Sequence, residues 1–118
     1  MITGLDHVQV AIPAGGEEEA RDFYGGLLGM TERPKPAALA ARGGCWFTGG
    51  SAVLHLGVEH PFHPARKAHP AFLVTELDQL RSRLTASGAE CVDGGELPGI
   101  VRFHTTDPFG NRLEFQQA

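Results

Sequence analysis

Val8, Val10 and Ile12 alternate with His7, Gln9 and Ala11, the period of a strand with one buried face. From residue 17 to 28 the period changes. Ala20, Phe23, Tyr24, Leu27 and Leu28 recur at three- and four-residue steps and predict one helical stripe. Glu17, Glu18 and Glu19 open that helix, where its dipole favours acids, and Gly29 is placed to close it. Short strands are predicted near residues 31–34, 43–48 and 51–58. The pattern then restarts. Residues 69–74 read as a strand, and Thr75-Glu-Leu-Asp78 reads as a variant capping box with Asp in the fourth place. Leu77, Leu80 and Leu84 form a second stripe, closed by Gly88. Strands are expected at 90–92, 100–106 and 112–117. Leu97-Pro98-Gly99 and the run from Asp107 to Asn111 mark the turns between them.

Landmarks in the two halves repeat at an offset of about sixty residues: His7 with His69, Gly29 with Gly88, His55 with Glu114. This predicts an α+β fold of two tandem βαβββ modules, forming a curved mixed sheet around a cavity with the helices on the convex side. The first module covers about residues 1–59, a Pro- and His-rich connector about 60–68, and the second about 69–118, within one domain spanning 1–118.

Composition narrows the function classes. With 118 residues, 42% of them apolar, the chain can build one core, and 20% charged residues argue against disorder. A net charge of −4 without a basic patch disfavours a nucleic-acid partner. No apolar run reaches the roughly 18 residues of a membrane span. The N-terminus lacks the pattern of an export signal, so a cytoplasmic protein is expected, with Cys45 and Cys91 as two buried free thiols.

Strand parity singles out four polar side chains. Val8, Val10 and Ile12 oppose His7; Leu54, Leu56 and Val58 oppose His55; Pro70, Phe72 and Val74 oppose His69; Leu113 and Phe115 oppose Glu114. Each occupies an equivalent strand of its module. Three imidazoles and a carboxylate meeting on a concave face would make a borderline-soft metal site. Arg102 and His104 share one face of the seventh strand and are expected to hold an anionic part of a substrate. Gln9, on the His7 face, is a weaker candidate of the same kind. His60, His63, Arg66 and Lys67 read as a solvated connecting loop, and Tyr24 and Trp46 as core or interface residues. No Ser/His/Asp arrangement can be placed around Ser51, and Gly43-Gly44 and Gly49-Gly50 lack the Lys and helix of a phosphate loop.

The segments Leu5-Asp-His-Val-Gln-Val-Ala-Ile, Ala20-Arg-Asp-Phe-Tyr-Gly-Gly-Leu-Leu-Gly-Met, Leu54-His-Leu, His69-Pro-Ala-Phe-Leu-Val and Thr106-Asp-Pro-Phe-Gly-Asn-Arg-Leu-Glu-Phe together resemble the vicinal oxygen chelate superfamily. That group includes glyoxalase I, extradiol dioxygenases and the fosfomycin and bleomycin resistance proteins. The resemblance spans essentially the whole chain. It implies a divalent metal (Zn, Ni, Mn or Fe(II)) at the positions of His7, His55, His69 and Glu114. Members with three protein ligands would use His7, His69 and Glu114. The fourth-strand position is commonly Glu in glyoxalase I and is His55 here. The implied activity is that of a metal-dependent, glyoxalase-like lyase or isomerase on a small substrate that chelates through adjacent oxygens, with Glu114 or a bound water as base. An Fe(II) extradiol dioxygenase and a metal-free drug- or metabolite-binding protein are the alternatives. A homodimer is also implied.

Overall fold

The computed structural model describes residues 1–95 and 97–118. The chain divides into two compact units, Met1–His63 and Pro64–Ala118, and the division falls inside the expected connector.

In the N-terminal unit β1 (Val8–Ile12) is followed by a helix, a short strand β2 (Thr31–Arg33), and the hairpin of β3 (Cys45–Gly49) and β4 (Ala52–Val58). β1 lies parallel to β4, and β4, β3 and β2 continue antiparallel, in the order β1-β4-β3-β2. The C-terminal unit repeats this arrangement. β5 (Ala71–Val74) lies parallel to β8 (Arg112–Gln117), which pairs with β7 (Arg102–Thr106) and then β6 (Val92–Asp93), in the order β5-β8-β7-β6. The α+β class and the paired βαβββ modules are therefore as expected, and the strands form two four-stranded sheets, one in each unit. No helix among the described residues is long and apolar enough to cross a membrane.

Parity sorts the core as the alternation requires. Val10, Ile12, Leu54 and Leu56 are buried with Phe23 and Tyr24 in the first unit. Phe103, Leu113 and Phe115 are buried with Leu77, Leu80 and Leu84 in the second. Both cysteines are free, but only Cys45 is buried, and burial pushes its thiol up to about 11; Cys91 is half-buried.

Several local details depart from the sequence reading. The first helix is α-helical only over Glu17–Ala20, here α1, and continues as a wider π-helical segment over Arg21–Leu27. There the Leu28 N–H donates five residues back, to the Phe23 carbonyl. Gly25 and Gly26 each weaken regular α-helix by about 1 kcal/mol relative to alanine, and the wider turn still buries Phe23 and Tyr24. Gly29 closes the segment with φ +72°. A four-residue helix, α2 (Ala37–Ala40), carries no stripe long enough to be seen in the sequence. β3 begins at Cys45, two residues later than expected. Gly44 turns the chain at φ +82°, so close to β4 that a Cβ there would stand 2.0 Å from the Leu56 carbonyl oxygen.

The capping box at the second helix does not form. Helix α3 (Leu77–Ala86) is capped one residue later than predicted, with Glu76 and not Thr75 in the cap position and no side-chain bond from it. The Gln117 side chain on β8 takes over: its Oε1 accepts from the Leu77 N–H at 3.3 Å and its Nε2 donates to the Thr75 carbonyl at 2.8 Å. Gln117→Ala is accordingly expected to destabilise the fold by about 1 kcal/mol, the usual cost of a lost cap, as read by urea denaturation.

The turn into β8 is held by Asp107. Its Oδ1 accepts from the backbone N–H groups of Phe109 and Asn111, and its Oδ2 from the Asn111 amide, each at 2.9 Å. Asn111 Oδ1 in turn accepts from the Ala65 N–H at 2.9 Å, which ties the segment before β5 to the turn before β8.

Candidate metal centre

The four residues selected by parity divide two and two between the units. In the N-terminal unit, His55 on β4 lies in register with Gln9 on β1 and Trp46 on β3, and neighbours in register share a face. The His55 ring is stacked between His7, at 4.0 Å between centroids, and Trp46, at 3.9 Å and only 3° from parallel. Burial first, and then the neighbouring His7, hold the His55 imidazole below the usual histidine range, which keeps it neutral at pH 7. His7 Nδ1 meets the Asp6 carboxylate at 2.8 Å. Gln9 is exposed, with its amide packed over Gly57. Trp46 had been read as core or interface, and no spacing rule pointed to its stack on His55.

In the C-terminal unit the parallel pairing of β5 with β8 brings His69, just before β5, to Glu114 in the middle of β8. His69 Nε2 stands 2.8 Å from Glu114 Oε1. His104 faces Glu114 directly across the β7–β8 pair, its Nε2 3.1 Å from the same oxygen. The two imidazoles meet edge-on with centroids 5.3 Å apart. The other carboxylate oxygen is taken: Oε2 accepts from Gln116 Nε2 at 2.6 Å and Arg102 Nη1 at 3.1 Å. Arg102 Nη2 donates to the Gly94 carbonyl at 2.6 Å, so both its terminal nitrogens are engaged within the protein, and its Nε is buried with no hydrogen-bond partner among the described residues.

The Glu114 side chain is only 4% exposed. Burial alone would raise its pKa. The hydrogen bonds from Gln116, His69 and Arg102 outweigh that effect and hold the carboxyl at about 2, so it is ionised at neutral pH. His104 is held below its ordinary value by burial first and then by the positive charge of Arg112.

These residues suit a divalent cation. One ligand atom from each of His69, His104 and Glu114 can be chosen so that all three lie within 4.8 Å of one another. Ligands bonded at about 2.0–2.2 Å to one ion stand up to roughly 4 Å apart, so small side-chain rotations close the set around it. The chemistry of His69 points the same way. Its Nδ1 lies 2.7 Å from the Lys67 carbonyl, which can only accept, so Nδ1 carries the proton. Its Nε2 then faces an ionised carboxylate and needs either a second proton or a shared cation. A histidine whose far nitrogen donates to a backbone carbonyl is the usual outer-shell arrangement of a metal ligand.

The sequence reading placed His104 with the substrate contacts, whereas the structure puts its Nε2 beside Glu114. Gln116 was missed as a supporting residue, although its two-residue step from Glu114 put it on the same face.

The sequence profile of the glyoxalase/bleomycin resistance protein/dioxygenase superfamily matches residues 4–115. Among solved structures, a glyoxalase family protein from Bacillus anthracis is 52% identical with a TM-score of 0.94, covering 99% of this chain and 96% of its own. The genomically encoded fosfomycin resistance protein FosX from Listeria monocytogenes shares the fold at 16% identity and a TM-score of 0.79, over 100% of this chain and 95% of its own. Lactoylglutathione lyase from Agrobacterium tumefaciens does so at 19% and 0.69, over 94% and 92%. No curated protein sequence matches. With nearly its whole length accounted for, the chain belongs to the glyoxalase/bleomycin resistance protein/dioxygenase superfamily.

Proposed function

We propose that this protein is a divalent-metal-dependent enzyme acting on a small, oxygen-rich molecule that presents two adjacent oxygens, in the manner of a glyoxalase-like lyase or isomerase. The observation that carries this reading is the convergence of His69 and His104 on one oxygen of the buried, ionised Glu114. Zn, Ni, Mn and Fe(II) all suit two imidazoles and a carboxylate. A cation held there would supply Lewis acidity, stabilising negative charge as it develops on the substrate oxygens.

The chain's own groups have separable roles. Arg102 and Gln116 fix Oε2 and keep the carboxylate charged, while Oε1 is left toward the imidazoles. The Lys67 carbonyl orients His69. A carboxyl held at about 2 is a weak base near neutrality, so Glu114 serves here as ligand and charge. It would accept a proton from substrate only after release from Arg102 and Gln116. His7 and His55 offer further imidazole nitrogens in the N-terminal unit and remain part of the proposed ligand set. A homodimer working in the cytoplasm completes the reading.

The protein as purified is expected to carry close to one equivalent of a divalent metal, measured by plasma mass spectrometry, and His69→Ala is expected to lose it. Retention of metal by His69→Ala, or no uptake of Zn, Ni, Mn or Fe(II) by the wild type, would overturn the reading. Loss of metal also from His7→Ala or His55→Ala would assign those residues to the same ion. The two-histidine, one-carboxylate donor set also favours a second reading, an Fe(II) extradiol dioxygenase. Anaerobic Fe(II) loading followed by oxygen and catechol separates the two, because ring cleavage gives a yellow product.

A further inference from the structure

His104 is also one wall of a groove that the proposed chemistry leaves unused. The groove has a volume of about 620 Å³, and Arg66, Arg112, Glu90, Asp93 and Gly94 line it with His104. Arg112 opens β8 in register with Thr106, on the same face as Glu114 two residues later. Its charge already reaches the His104 ring. Arg66 arrives from the segment before β5, and that segment is anchored. The Ala65 N–H donates to Asn111 Oδ1 at 2.9 Å, and the Ala65 carbonyl accepts from the Arg112 N–H at 2.8 Å. The backbones that carry the two arginines are thus bonded to each other.

Among the described residues neither guanidinium is in an ion pair. Neither acid of the groove pairs with them among the described residues: Asp93 is taken by Arg81 at 2.6 Å, and the exposed Glu90 forms no ion pair there. Arg102 differs, since its charge is spent on Glu114. Two uncommitted, forked cations on anchored backbone are what a carboxylate or a phosphate needs for paired, charge-assisted hydrogen bonds.

We propose that this groove binds an anionic group, a carboxylate or a phosphate, through Arg66 and Arg112. Resting on the proposed function, that group is the far end of the substrate whose adjacent oxygens reach the Glu114 centre. The enzyme's substrate is then a small oxygen-rich acid or phosphate ester, and not a neutral molecule.

The test uses the full chain freed of metal with a chelator, at low ionic strength, titrated separately with inorganic phosphate and with malonate by calorimetry. At least one probe is expected to bind, and the stronger binder identifies the class of anion. Arg112→Ala and Arg66→Ala should each weaken binding by about fivefold or more, while Arg42→Ala, at an exposed cation outside the groove, should not. Arg112→Gln, which keeps most of the side-chain volume, should reproduce the loss with an unchanged melting temperature. The His104 ring signals should shift in nuclear magnetic resonance as the anion is added. No binding of either probe, or undiminished binding in the Arg66→Ala/Arg112→Ala double variant, overturns the proposal. Zinc bound normally with no anion bound sinks the groove alone; the anion bound with no zinc taken up sinks the metal reading alone.

Discussion

Replacing Glu114 with glutamine is expected to weaken zinc binding by on the order of a thousandfold, far more than the ten- to hundredfold typical of an outer-shell change. Three effects act together. The set loses its only anion, and a cation held by neutral imidazoles alone loses the largest attraction in the site. Arg102 loses its counter-charge, so a positive group now faces the cation's position without screening. The amide also presents an N–H where Oε1 had faced two imidazoles. Competition against a coloured zinc chelator reads the affinity directly. Glu114→Asp keeps the charge and should lie between the two, and Gln116→Ala, which removes one support of Oε2, should cost tenfold or so. Equal affinity for wild type and Glu114→Gln would remove the carboxylate from the centre.

The metal-free protein is expected to lose about 3 kcal/mol of stability as pH falls from about 5 to 2. The Glu114 carboxyl titrates near 2 in the folded chain and at 4.5 when unfolded. Below 4.5 the unfolded chain therefore takes up a proton that the native chain refuses, and the equilibrium shifts toward unfolding until pH 2 is reached. The depressed imidazoles of His55 and His104 act in the same direction from pH 6.5 downward, because the unfolded chain again binds protons first. Urea denaturation in the presence of a chelator, repeated at steps of half a pH unit, measures the slope. Glu114→Gln should be less stable at pH 7 and show a flatter profile below pH 5; a profile as steep as that of the wild type would place the acid sensitivity elsewhere.

What the amino-acid pattern revealed followed the period of the backbone. β8 was predicted at its observed bounds because Leu113 and Phe115 alternate cleanly with polar neighbours, and the same alternation found His69 and Glu114. Features set by contacts distant in sequence were not legible. The cap of α3 comes from Gln117, 40 residues downstream, so the local Thr75–Asp78 signal misled. The position of His104 beside Glu114 depended on register, which parity alone does not provide: any residue on that face of β7 could have stood opposite. The π-helical stretch from Arg21 to Leu27 keeps the apolar stripe of an α-helix, and spacing does not tell the two apart. Arg112 was read only as part of a hairpin motif, because a lone cation carries no sign of whether an acid will neutralise it.

In the C-terminal sheet the first strand of the module lies beside the last, and His69 meets Glu114 across 45 positions of chain. Synthesis therefore adds both imidazoles before their shared carboxylate, His69 by 45 residues and His104 by ten. The nascent chain has no complete coordination set until β8 is made and slotted between β5 and β7. A metal of the kind proposed for this centre meets its full C-terminal ligand set only with β8 in place, and protein synthesised under metal starvation is expected to take the ion up afterwards.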